Sequence, residues 1–117
     1  MDALIIKKTW IDYILSGKKT WEIRGCSTKK RGKIELIQSE SGLVVGCCEI
    51  TDCFKLNLKE YISSYNKHCI DKLDCLPYKA TYAWVISNPC RYILKSILTL
   101  MVQLYGLNYK FDKQRII

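Results

Sequence analysis

The chain has 117 residues, 49% of them hydrophobic, and a formal charge of +8, which fits one domain with a real core. The charge favours an anionic partner, nucleic acid first. No apolar run reaches the ~18 residues of a membrane span, and neither Asp2 nor Lys7-Lys8 frames a secretory signal.

Ala3–Lys7 reads as a short apolar strand. Thr9 is placed to cap a helix on which Trp10, Tyr13 and Ile14 recur at helical spacing. Gly17 stops that helix in the left-handed conformation. Residues 20–24 form a second strand, with Thr20, Glu22 and Arg24 on one face and Trp21 and Ile23 on the other. Gly25 to Gly32 is a polar loop carrying Lys29, Lys30 and Arg31. Lys33–Gln38 is a third strand, Ser39–Gly42 a turn, and Leu43–Phe54 a long strand with Gly46 as a candidate bulge. Asn57 caps a helix over Leu58–Tyr65, with Glu60 completing a capping box. Asn66–Lys79 is a loop containing Pro77, and Thr81–Ser87 is a strand that Asn88-Pro89 ends. The hairpin-length turn between the third and fourth strands disfavours a doubly wound parallel sheet. The fold class is α+β, mainly β: a small curled β-barrel with short helices flanking a cleft, in one domain over residues 1–117.

The segment Gly17-Lys18-Lys19-Thr20-Trp21-Glu22-Ile23-Arg24 carries most of the chemistry. Lys19 enters the second strand from the turn, so its long stem can swing over the face that holds Glu22 and Arg24. Partly desolvated and near Lys18 and Arg24, Lys19 would have a lowered pKa and could act as a general base. Glu22 could shuttle the proton, and Arg24 could bind phosphate or orient Glu22. His68, the only histidine, is an acid/base candidate if its loop folds over the cleft. The same residues also suit a non-catalytic reader, with Lys19, Arg24 and the basic loop on the RNA backbone and Trp10 as a stacking surface. A regulatory interaction module is a further alternative. The plainest reading is an ordinary cross-strand ion-pair network with His68 solvated in a loop. The seven cysteines include no CxxC pair, and adjacent Cys47-Cys48 lie in an apolar run. They read as free thiols in a reducing intracellular compartment, the cytoplasm ahead of the nucleus. His68-Cys69 with Cys75 is a sparse donor set, so neither metal nor cofactor is expected. A monomer is favoured.

Gly17-x-Lys19-x-x-Glu22-x-Arg24 resembles the GxKxxExR signature of the ASCH domain. Ala3-Leu4-Ile5-Ile6-Lys7 and Trp10 before Ile14-Leu15-Ser16-Gly17 resemble that family's opening strand and helix. Tyr78-Lys79-Ala80-Thr81-Tyr82-Ala83-Trp84-Val85 resembles its YKKTYAWV segment, with His68 at the usual place upstream. The resemblance covers residues 3 to about 92. It implies a PUA-like barrel, related to YTH and EVE modules, with a cleft that accepts RNA or a nucleobase. It also implies a hydrolase in some members, of acetylcytidine-amidohydrolase or ribonuclease type. On this basis Lys19, Glu22 and His68 are the catalytic candidates. Lys7, Trp10, Gly17, Thr20, Arg24, Lys29, Lys30 and Arg31 are the ligand- or RNA-binding candidates. The chain departs from the pattern at Thr9 (usually Pro), at Ala80 (Lys) and at Glu22, where the compact amidohydrolase branch has Thr. The family's closing strand, similar to HPxGAVIWV, does not follow Tyr92. One permitted coding of Leu100–Asn108, read two bases later, yields His-Gly-Ala-Ile-Ile-Trp-Ile-Lys, which points to a frameshifted tail. The alternative is that residues 97–105 form an apolar strand or helix of their own that plugs the gap.

Overall fold

Short apolar runs separated by glycine and polar turns build five strands within residues 2–93, the part of the chain described in the computed structural model. In chain order the elements are β1 (Ala3–Ile6), α1 (Lys8–Leu15), β2 (Trp21–Arg24), β3 (Gly32–Gln38), β4 (Val44–Leu56), α2 (Leu58–Ser63), α3 (Tyr65–His68) and β5 (Thr81–Arg91). The strands form one sheet in the order β1-β3-β4-β5-β2. Neighbours are antiparallel except β1 and β3, which run parallel. The sheet curls into a half-barrel, so β1 and β2, its two edges among the described residues, approach each other across a cleft. Residues 97–108, which hold the expected frameshifted strand or the alternative apolar strand or helix, lie outside the described residues.

Side-chain alternation divides the apolar residues between two clusters. Leu4, Ile34, Leu36, Cys48, Ile50, Trp84 and Ile86 pack inside the curl with Ile11 and Ile14 of α1. Trp21, Ile23 and Ala83 pack on the other face with Leu56 and Tyr61. Ile11 and Ile14 are fully buried, and each contributes about 1.5–3 kcal/mol by leaving water. Glu22 lies opposite Trp84 in the β2–β5 ladder, so it shares the face of the inner cluster.

Several boundaries differ from those read in the sequence. Helix α1 begins at Lys8 with Lys7 as N-cap and no side-chain cap. Because β1 stops at Ile6, the chain enters the helix early, and Thr9 sits inside its first turn. The expected helix over 58–65 breaks at Ser64 into α2 and α3, which places His68 at a helix end. The capping box of Asn57 and Glu60 forms as read. Strand β5 does not end at Asn88-Pro89. Both residues face the single Cys48 in a bulge, after which Cys90 pairs with Cys47 and Arg91 with Gly46. A bulge leaves a residue outside the ladder, so proline's missing N–H costs nothing there. On the other side of β4 the extra residue is Val45, next to Gly46. No helix among the described residues is long and apolar enough to cross a membrane.

Candidate functional site

Gly17 sets the site in place. Its φ of +83° lets the chain reverse at the end of α1. The amide of Gly17 donates to the Ile14 carbonyl and that of Lys19 to the Tyr13 carbonyl. Past this cap Lys18 turns outward, its Nζ 4.4 Å from the Tyr13 ring. Lys19 turns inward and is only 2% exposed.

Inside, Lys19 Nζ donates to the His68 carbonyl at 2.5 Å and lies 3.9 Å from Glu22 Oε1. It also sits 4.8 Å from the centre of the Trp10 ring. Arg24 approaches the other oxygen of Glu22 at 3.4 Å and stacks over Trp84 at 5.5 Å. Burial holds the Lys19 amine below its ordinary value, against the opposing pull of Glu22 and Cys69. Neighbouring cations do not cause the shift: Lys18 points away, and Arg24 sits on the far side of Glu22. Burial likewise raises the Glu22 carboxyl, against Lys19 and Arg24. Desolvation thus pushes both members of the pair toward their neutral forms.

These groups open on a cleft of about 370 Å³, at the small end of ligand pockets (about 300–1,000 Å³). Ile5, Ile6 and Lys7 line it from β1 and its end, Trp10 from α1, and Glu22, Ile23 and Arg24 from β2. Lys19, Ser39, Ile70, Pro77 and Tyr78 complete it. Lys7, Trp10, Lys19, Glu22 and Arg24 therefore come together as the sequence suggested. Gly17 and Thr20 stay outside the lining. Thr20 is exposed, and its backbone ties the strand to Lys67 and Ile86. Lys29, Lys30 and Arg31 are not brought to the cleft: Lys30 pairs with Asp2 at 2.9 Å and Arg31 with Asp52 at 3.8 Å.

His68 enters the site through its carbonyl. Its ring is fully buried and stacked on Tyr61 with centroids 4.3 Å apart. The Ile70 amide donates to Nδ1, so Nε2 carries the proton and donates to the Tyr61 carbonyl at 2.7 Å. Burial lowers its pKa. Both ring nitrogens are occupied by backbone, and the residue is neither solvated nor turned to the cleft.

Tyr78, a weaker stacking candidate in the sequence beside Tyr82, lines the cleft, as does Ile70, which the sequence pattern did not single out. Tyr78 is 46% exposed, and its ring rests on Gly25, where an added Cβ would lie 2.9 Å from Cδ1. That glycine, directly after Arg24, was the available signal of a close approach. Trp10 is half-buried, with one side on the core and another on the cleft, whereas Trp21 and Trp84 are core residues. Among the described residues, no three His, Cys, Asp or Glu side chains converge as a metal ion would require.

A family model described as the ASCH domain matches residues 4–97. Among solved structures, the chain is similar to the ASCH protein from Zymomonas mobilis, with a TM-score of 0.64 at 14% identity, covering 97% of this chain and 88% of that one. Two point variants of that protein give TM-scores of 0.63 and 0.62 at 15% and 13% identity. Each covers 97% of this chain, against 91% and 89% of theirs. At this identity the likeness establishes the fold. A search of curated proteins finds no match.

Proposed function

The chain belongs to the ASCH domain family, and from that premise we propose that its cleft binds one unpaired base of RNA, or a modified nucleoside, with Lys19, Glu22 and Arg24 at the ligand's polar edge. The observation that carries this reading is the buried Lys19–Glu22 pair beside an apolar slot. A nucleobase has two apolar faces and an edge of alternating donors and acceptors. Trp10, Tyr78 and Ile5 offer surface for the faces. Glu22 can accept from an amino group, and Lys19 and Arg24 can donate to carbonyl oxygens. The net charge of +8 supports a polyanion as the source of that base.

The shifted pair supports a second reading, hydrolysis. A lysine eased toward its neutral form can take a proton from water as it attacks an acyl or phosphoryl centre. A carboxyl with a raised pKa can return a proton to the leaving group. His68 has a positioning role in either reading, because its carbonyl fixes the Lys19 amine.

The test is incubation of the folded protein with short single-stranded RNA and with acetylated cytidine, followed by mass spectrometry, beside Lys19→Ala. Product from the wild type alone supports hydrolysis. Binding without product, weakened in Lys19→Ala, supports a reader. Protein that is folded by circular dichroism yet neither binds nor converts any of these ligands refutes the proposal.

A further inference from the structure

A second depression, of about 500 Å³, adjoins the cleft. It is lined by Lys7, Lys8, Gln38, Ser39, Glu40 and Ser41. Lys7 and Ser39 line both spaces, so cleft and groove are continuous. The two differ in character: the cleft holds buried charge beside apolar walls, while the groove has only charged and polar side chains on its walls.

We propose that this groove holds a phosphate attached to the nucleoside whose base occupies the cleft, so that the ligand is a nucleotide and not a free nucleoside. The inference rests on the base-binding reading above and adds the chemical class of its ligand.

Three features carry it. The first is charge. Lys7 is exposed and makes no ion pair among the described residues, whereas Lys8 is committed to Asp12 at 2.7 Å. The free cation of the groove is therefore the residue that also borders the cleft.

The second is rigidity. The Ser39 amide donates to the Ile6 carbonyl at 2.8 Å, which ties the β3–β4 turn to the end of β1. Ser41 Oγ donates to the Gln38 carbonyl and accepts from the Leu43 amide, which closes the turn on itself. These bonds leave the Ser39 hydroxyl and the Gln38 side chain as donors beside Lys7. A cation flanked by neutral donors suits a phosphate oxygen.

The third is position. A phosphate hangs from the sugar next to the base, and the groove opens next to the slot. Glu40, in the left-handed conformation at φ +74°, sets one negative charge against the lysines. With Lys8 held by Asp12, Lys7 alone stands against Glu40, so the groove disfavours a run of phosphates, and a single one would be held by Lys7 together with the neutral donors.

The probes are the four common ribonucleosides, their 3′- and 5′-monophosphates and short single-stranded tetranucleotides, titrated calorimetrically into the full chain at several salt concentrations. A monophosphate or tetranucleotide should bind about tenfold more tightly than its nucleoside at low salt. That advantage should shrink as the salt concentration rises, because it rests on an exposed charge pair. Lys7→Gln should abolish both the advantage and its salt dependence, read as the ratio of nucleotide to nucleoside affinity within the same variant. It should not unfold the protein, because Lys7 serves α1 through its carbonyl, which accepts from Ile11. Glu40→Gln should tighten phosphate binding. A monophosphate that outbinds the tetranucleotides identifies a terminal phosphate. A tetranucleotide that matches or exceeds it identifies a phosphodiester. Equal binding of nucleoside and nucleotide, or an advantage that survives Lys7→Gln, overturns the groove assignment while leaving the base reading intact. Nucleoside binding that is indifferent to Lys19→Met overturns the base reading, and the groove assignment falls with it.

Discussion

Replacing Lys19 with Met and Glu22 with Gln, singly and together, measures how dry the cleft floor is. The charges stand 3.9 Å apart, and at an effective dielectric of about 20 their attraction is about 4 kcal/mol. Burial nevertheless moves both groups toward neutrality, so desolvation outweighs that attraction for each. The double variant removes both desolvation penalties together with the Lys19–Glu22 attraction and the partly exposed Arg24's contact with Glu22. Such swaps range from neutral to about 1–4 kcal/mol stabilising. The His68 carbonyl, left without its donor, gives back about 1–3 kcal/mol. The double variant should therefore lie within about 2 kcal/mol of the wild type. Each single variant strands one charge. Lys19→Met is the milder, because Arg24 remains 3.4 Å from Glu22. Glu22→Gln leaves the ammonium only a carbonyl and the Trp10 ring. Urea unfolding of the four proteins at pH 7 gives the coupling energy, expected at about 1–3 kcal/mol. A coupling below about 0.5 kcal/mol would refute the reasoning, because it would mean that water screens the pair.

Gly46→Ala places a Cβ 2.5 Å from the Cys90 carbonyl oxygen and 2.8 Å from Leu15 Cδ2. It should cost about 1–3 kcal/mol in a urea titration, and unchanged stability would mean that the β4–β5 approach is looser than described. His68 contributes a pH dependence with a definite sign. Its folded pKa lies below 6.5, so in the window under 6.5 the unfolded chain binds a proton that the native state does not. Its contribution is intact above that window and is lost as pH falls through it. His68→Gln should lose about 1–3 kcal/mol at pH 7 and show a flatter profile between pH 7 and 5, and parallel profiles would contradict this. Asn57→Ala removes the side-chain acceptor of the Glu60 amide. It should cost about 0.5–2 kcal/mol by thermal melting with no change in ligand affinity.

Local rules predicted what local forces decide. Gly17 had to be left-handed because a helix had to end there, and its φ is +83°. Asn57 and Glu60 satisfy each other's amides within one turn, so their spacing alone foretold the cap. The alternation of Trp21, Glu22, Ile23 and Arg24 placed the carboxylate and the two aliphatic or aromatic residues on opposite faces. What escaped the sequence depends on distant partners. Pro89 reads as a stop, but a bulge against Cys48 absorbs it. The basic loop reads as a ligand arm, but Asp2 and Asp52, remote in sequence, hold Lys30 and Arg31 elsewhere. His68 reads as an exposed acid or base, yet Tyr61 and Ile70 occupy both its nitrogens. Charge and residue type forecast the chemistry of the cleft better than they forecast which groups stand free to perform it.

The cleft lies between the two strands that are furthest apart in the sheet order, β1 and β2. Lys7 and Arg24 are thus connected through four strand pairs in series. At about 20–25° of twist for each pair, roughly 80–100° accumulates between them. The width of the slot is the end point of that sum, so small changes anywhere along it add up at the ligand. The bulges at Val45 in the β3–β4 ladder and at Asn88-Pro89 in the β4–β5 ladder act as its adjusters. Two chains with identical cleft residues but a bulge gained or lost would hold Lys7 and Arg24 at different separations. They would then accept ligands of different size, which makes backbone curvature a carrier of specificity.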